Sequence, residues 1–509
     1  MRCTAGGVAR VIQTERKQTT HAMISFFKRA NKPVIRERAD HCISRANIDP
    51  DALKVLYRLS GTGHIAYLVG GSVRDLLLGR KPKDFDIGTD ARPNDIRRLF
   101  RNCFLIGRRF RLAHIIFGKK VIETSTFRKQ PEAVENENGL YQTEDNTFGT
   151  PEEDAKRRDF TVNGLFYDIK TFSVIDYVGG LKDLEKRVLR CIGDPNIRFR
   201  EDPVRMMRAV KFAARLGFEI DRTSRKAIAK HHADILNASV PRVCEEVFRL
   251  FTYGSSRAAF SLLWEFGLLR DLLPEIADYV DSTGGKNSPL WKYLAALDAV
   301  PENVDVSNGI RIACLTYPLF LKQLEQEEAK HPSSRFNRQY AARHALQSIA
   351  QRLHIPKNTA FAAASFMDVL RRFAEPPRKD RNARFLRHRD FAEAMTLQRI
   401  VLTAENGDQT ILNDWQTLHE QTNAAQPARR TARPTDEQHH AKAAEDGADT
   451  PPHPHDAETN EDDGASRPRR HRSSRNYRRP RRNRSETSAD RAEGITVTEV
   501  KDGDTNSAE

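Results

Sequence analysis

Leu68 to Thr89 reads LVGGSVRDLLLGRKPKDFDIGT, and the order of signals in this stretch decides the fold. An apolar run, Ile65 to Val69, ends at Gly70-Gly71 and opens into a helical pattern over Ser72 to Leu78. Gly79 to Lys83 turn the chain, and Asp84 and Asp86 follow around Phe85 in what reads as a second strand. Alternate side chains of a strand share a face, so both carboxylates project together while Phe85 points into a core. Two acids held side by side repel each other unless a cation lies between them. Oxygen ligands of this kind suit magnesium (Mg²⁺), and two-metal sites serve in-line displacement at phosphorus. Paired glycines let the backbone approach a ligand closely, and the helix after them offers N–H groups to an anion. Arg74, near the start of that helix, is placed to reach a phosphate oxygen. An isolated Asp-x-Asp is most often a solvated turn. Its position after Gly-Gly and a short helix is what carries the signal.

GGSVRDLLLG followed by DFDIGT resembles the nucleotidyltransferase signature of the class II tRNA nucleotidyltransferase and poly(A) polymerase family. The resemblance implies an α+β chain: an N-terminal mixed α/β nucleotidyltransferase head, then an all-helical neck and body. Working outward, Asn47 and Asp49 are candidate caps for a helix over Asp51 to Leu59, and Pro93 to Phe100 reads as another. Leu105 to Gly118, LIGRRFRLAHIIFG, reads as an amphipathic edge strand with solvated arginines. Within it, GRRFRLAH looks like the version typical of bacterial poly(A) polymerases; Arg108, Arg109, Arg111 and His114 carry that subfamily signature. Val121 to Phe127 alternates as a strand with Glu123 and Ser125 on one face, so Glu123 is a candidate third catalytic carboxylate beside Asp84 and Asp86. An exposed strand glutamate is the plainer alternative. Residues 129–149 have the composition of a loop.

Thr150, Pro151 and Glu153 form a capping box with proline at the first helical position. That helix runs into Arg157-Arg158-Asp159-Phe160-Thr161-Val162-Asn163, which resembles the family's RRDFTxN element serving the sugar and triphosphate of the incoming nucleotide. Arg158 can neutralise phosphate, and Asp159 and Asn163 can hydrogen-bond ribose hydroxyls. Further on, Arg200-Glu201-Asp202-Pro203 reads as a helix start with an acidic first turn. Glu201, Arg205 and Arg208 fall on one face, and Asp202 and Arg205 are spaced to brace each other. The segment resembles the family's EDxxR element, which implies that Asp202 and Arg205 read the base edge. Lys211 stands where arginine is frequent. His231, His232 and Asp234 read as ordinary helix residues, since nothing completes a phosphohydrolase site around them.

The chain has 509 residues and a net charge of +15, which favours a polyanionic partner. Six scattered cysteines show no C-x-x-C pair, against both a disulfide framework and a zinc site, and a cytoplasmic location is expected. No apolar run approaches the ~18 residues of a membrane span. The expected divisions are an N-terminal extension (1–43, with Met23 an alternative start), a catalytic head (44–190), a helical neck and RNA-binding segment (191–285), a helical body (286–421) and a tail (422–509). Hydrophobic residues nearly vanish in the tail, so it reads as disordered. It is acidic first, then carries ten arginines and no acid over 467–484, suited to RNA or ribonucleoprotein factors. The resemblance implies Mg²⁺-dependent addition of AMP from ATP to RNA 3′ ends, and a monomer is expected. Gly70, Gly71, Arg74, Arg158, Asp159, Asn163, Asp202, Arg205 and Arg208 would hold the nucleotide. The alternatives are a CCA-adding or A-adding tRNA enzyme with the same site, and a non-catalytic RNA-binding protein.

Overall fold

The computed structural model describes residues 32–107, 112–129, 147–330 and 337–424, with two short strands, Val134–Glu135 and Tyr141–Gln142, between the second and third of these. The N-terminal extension to residue 31, Arg108, Arg109, Arg111, most of the 129–149 loop and the tail beyond 424 lie outside the described residues. Among the described residues no helix is long and apolar enough to cross a membrane.

Eight strands build the sheet: β1 Val34–Arg36, β2 Ala66–Val69, β3 Asp86–Thr89, β4 Cys103–Ile106, β5 Leu112–Phe117, β6 Lys120–Thr126, β7 Leu165–Asp168 and β8 Ser173–Asp176. Across the sheet their order is β1-β8-β7-β2-β3-β6-β5-β4. β3 and β6 run parallel, and every other neighbouring pair is antiparallel. One face is covered by helices Pro50–Gly61, Gly71–Leu77 and Pro93–Leu99, whose Leu56, Val73 and Ile96 join Leu68, Ile87 and Tyr167 in one apolar cluster. Phe85 packs against that cluster as its alternation with Asp86 requires. The opposite face carries a smaller cluster, Val69, Phe127, Ala155, Phe166 and Ile175. Gly88 is obligatory there, since a Cβ would stand 2.6 Å from the Phe127 ring and 3.0 Å from Val69.

Local signals set the helix ends. The Thr150 hydroxyl accepts from the Glu153 N–H, Glu153 returns to the Thr150 N–H, and helix Pro151–Arg157 follows. Asp49 rather than Asn47 caps helix Pro50–Gly61, accepting from the Asp51 and Ala52 N–H groups. Two expectations need correction. Leu105 to Gly118 is not one edge strand: Gly107, at φ +102°, ends β4, and β5 returns antiparallel to it. Nor does a helix begin at Arg200. Arg200 and Glu201 close helix Pro195–Glu201, Asp202 is extended, and helix Val204–Leu216 starts after Pro203.

From there the described residues to Ala424 are mainly helical, apart from the short strand Glu219–Ile220, which pairs parallel with Val188–Leu189. One apolar cluster includes both Ile43 in the head and Trp415. The helical half therefore packs directly on the sheet half. His231 and His232 face Asp234 and Asp271 at 3.3 and 2.6 Å, as ordinary helix residues.

Candidate active site

A cleft of about 740 Å³ lies where the sheet's Gly70–Gly71 turn meets the helices Val204–Leu216 and Val240–Leu250. Gly70 has φ +72°, and a Cβ on it would stand 2.8 Å from Arg158 Nη1. Only glycine allows both the backbone conformation and that approach. No side chain caps the helix that begins at Gly71. Arg74 lines the cleft but is buried, with its Nε and Nη2 donating to Asp75 Oδ1 at 2.9 and 2.7 Å and its Nη1 donating to Asn163 Oδ1.

Asp84 and Asp86 both line the cleft, Asp84 in the turn just ahead of β3 and Asp86 as the strand's first residue. Ile87 pairs with Thr124 across the parallel ladder, so Asp86 and Glu123 sit side by side on one face. Although the Asp86 side chain opens onto the cleft, desolvation, then Glu123 and more weakly Asp84, push its carboxyl up to about 6, against the pull of Arg158. Uncompensated negative charge of this kind is what a hard divalent cation relieves. Glu123 itself turns toward His114, its Oε1 3.7 Å from Nε2 across β5–β6. Among the described residues no three acids, histidines or cysteines gather closely enough to share an ion. Glu123 is a charged neighbour of Asp86.

The RRDFTVN element forms the cleft's back wall. Arg158 is held by Asp154, whose Oδ2 accepts from its Nε and Nη2 at 3.1 and 2.9 Å. Asp159 has no acceptor site to spare. Its Oδ2 takes Arg208 Nε and Nη2 at 2.8 and 2.6 Å, and its Oδ1 takes the Phe160 N–H and Asn163 Nδ2 at 2.8 and 3.1 Å. That fills the roughly four lone-pair positions of a carboxylate. Burial alone would raise the Asp159 carboxyl, but the charge of Arg208 and these hydrogen bonds carry it down to about 2. Asp159 thus orients Arg208 and Asn163 at the cleft wall.

Asp202 differs. Its Oδ2 accepts from Arg242 at 2.9 Å, while its Oδ1 is buried and has no partner. A buried carboxylate oxygen left unpaired is costly and marks a place where a donor is missing. Arg205 is held by only one of its nitrogens, Nη1, to the Arg198 carbonyl and Glu201 Oε2 at 3.0 and 3.1 Å. The expected Asp202–Arg205 brace does not form, because the chain bends between them. Lys211 donates to Glu246 at 2.6 Å, and burial pushes its ammonium down to about 8 against that partner's charge.

Several residues of the site had no local signature. Arg198 spans the two halves, donating to the Arg157 and Arg158 carbonyls at 2.6 and 3.0 Å and to Glu201 at 2.8 Å. Lys83, Arg215, Arg242, Arg249 and Tyr253 also line the cleft. Arg215 and Arg242 serve partners distant in sequence, Asp75 and Asp202, which spacing could not reveal.

With this geometry in hand, likenesses to known proteins can be placed on it. Residues 66–190 match the Poly A polymerase head domain, and residues 217–280 match the probable RNA and SrmB-binding site of polymerase A. The chain is 46% identical over 300 residues to Poly(A) polymerase I of an Escherichia coli O6:H1 strain, covering 55% of this chain and 63% of that one. It is 35% identical over 236 residues to the CCA-adding enzyme of Bacillus velezensis, covering 45% and 56%. The matches thus span less than two thirds of the length of these relatives. Among solved structures, the Bacillus stearothermophilus CCA-adding enzyme in complex with CTP aligns at 26% identity and TM-score 0.52, over 74% of this chain and 83% of that one.

Proposed function

We propose that this chain, which belongs to the family of poly(A) polymerases and CCA-adding nucleotidyltransferases, transfers adenylate from ATP to RNA 3′ ends. The observation that carries this reading is a convergence: Asp84 and Asp86 from the sheet and Asp202 and Arg205 from the helical half line one cleft. A site for in-line attack on a triphosphate needs charge control at one end and base selection at the other. Asp84 and Asp86 would hold Mg²⁺, whose hard-cation chemistry suits their oxygens and which, when bound, neutralises triphosphate charge and acidifies a 3′-hydroxyl. The RNA 3′-oxygen attacks the α-phosphorus, the bond to pyrophosphate breaks, and no covalent bond to the protein is needed. Arg158 lies against the Gly70–Gly71 turn, where phosphate oxygens would sit. Asp202 Oδ1 accepts the adenine 6-amino hydrogen, and the uncommitted nitrogens of Arg205 donate to N1.

Cytosine presents the same donor and acceptor on its edge, so this pair alone admits a CCA-adding enzyme as the second reading. The likeness to the CTP-bound structure favours that rival. The higher identity to Poly(A) polymerase I and the GRRFRLAH string support the first reading. The charge of residues 467–484 supports a further contact with RNA or a ribonucleoprotein partner, weakening with salt. Asp84→Ala tests the chemistry: nucleotide addition is abolished while RNA binding by filter retention stays within about twofold, since one of many charges is changed. Addition that survives the change would contradict the role given to Asp84.

A further inference from the structure

Tyr253 sits in an unusual place for a bulky residue. Helix Val240–Leu250 ends, and after Phe251 and Thr252 the chain passes through Tyr253 at φ +66° and Gly254 at φ +60°. Left-handed backbone is ordinary for glycine or asparagine and strained for an aromatic residue, and such strain gathers where a side chain's aim matters. The aim here is defined. The Arg215 guanidinium carbon stands 3.7 Å from the ring centroid, and Arg215 Nη2 donates to Asp75 Oδ2 at 2.9 Å. Asp75 also holds Arg74, so the ring is backed by a cation fixed to the cleft floor. Yet the Tyr253 side chain lines the cleft and remains 49% exposed, with no partner for its hydroxyl among the described residues. One ring face is supported and the rest is open.

We propose that Tyr253 is the platform on which the base of the RNA's 3′-terminal nucleotide stacks. The proposal rests on the nucleotidyltransferase reading above and names how that site holds its acceptor. Stacking on an aromatic ring is tolerant of base identity, as an enzyme acting on many 3′ ends requires. The base belongs to RNA and not to ATP because the two base sites lie at opposite ends of one helix. Asp202, the base-edge acceptor, is tied to Arg242 near the start of helix Val240–Leu250, and Tyr253 lies beyond its end. The intervening helix is on the order of 12 Å long, too far for one adenine to meet both.

An RNA oligonucleotide ending in 2-aminopurine reads the stack directly, because stacking quenches its fluorescence. The full-length protein and Tyr253→Phe quench the probe; Tyr253→Ala and Tyr253→Leu do not. In steady-state assays with ATP, Tyr253→Ala raises the KM for RNA about tenfold and leaves the KM for ATP within twofold. Tyr253→Leu keeps apolar bulk in the turn, so a quench retained by Leu would mean a packing role and overturn the proposal. A rise in the ATP KM alone would assign the base to ATP and overturn it equally. The quench needs no turnover, so absence of tailing by the unaltered protein would fail the parent reading while leaving this one decided by fluorescence.

Discussion

Gly70 and Asp159 show how single residues commit the site. Gly70→Ala forces a side chain into left-handed backbone and onto Arg158 Nη1, 2.8 Å away. Strain of this kind costs ~1–3 kcal/mol, so urea unfolding shifts by that amount and the KM for ATP rises as Arg158 is displaced. Asp159 gives a pH signature. Its carboxyl falls from the ordinary 3.8 to about 2 in the folded chain. A depressed carboxylate stabilises the fold fully above its unfolded value and loses that contribution as pH falls through the folded one. The difference amounts to about 2 kcal/mol, of which about half is gone by pH 3. Unfolding free energies at pH 6 and pH 3 should therefore diverge by about 1 kcal/mol more for the unaltered protein than for Asp159→Asn. Gly70 was legible in the Gly-Gly pair and Asp159 in RRDFTVN, but the hydrogen-bond partners of Asp159 were not. A sequence lists donors and acceptors, but only the fold says which are already spent, and Asp159 spends all of its own on Arg208, Asn163 and a backbone N–H.

At the scale of elements, signals confined to one turn of chain were readable and those set by contact were not. The capping box at Thr150 and the caps and turns at Asp49 and Gly79 are local, and the structure carries them. Thr150→Ala removes the cap and costs about 1 kcal/mol, measurable as a lowered urea midpoint. The hairpin of β4 and β5 was read as one strand because apolar and basic residues run through it without proline or asparagine; Gly107, at positive φ, follows the end of β4. The Asp202 region was read as a helix start because acids and proline favour one. The chain instead closes one helix there and opens another. That break leaves Asp202 Oδ1 buried and unpaired beside the cleft while Arg242, from a later helix, holds Oδ2.

The described residues form a sheet domain and a helical half sharing one core, with the cleft at their junction. Arg198 is one polar tie between them, reaching the Arg157 and Arg158 carbonyls from the helical side, beside Arg208 on Asp159 and Arg215 on Asp75. Arg198→Met leaves the Arg157 and Arg158 carbonyls without this donor and Glu201 with Arg205 alone; a loss of ~2–3 kcal/mol on urea unfolding is expected, together with weaker ATP binding as the Arg158 backbone loses its tie. The central claim is that this junction selects adenine and adds it to RNA. It is tested most directly by supplying Mg²⁺ with ATP alone, or CTP plus ATP, to an unstructured RNA and to a tRNA lacking its terminal CCA. Long tails on the unstructured RNA from ATP alone are the predicted result. Addition confined to the tRNA and stopping at CCA would contradict it.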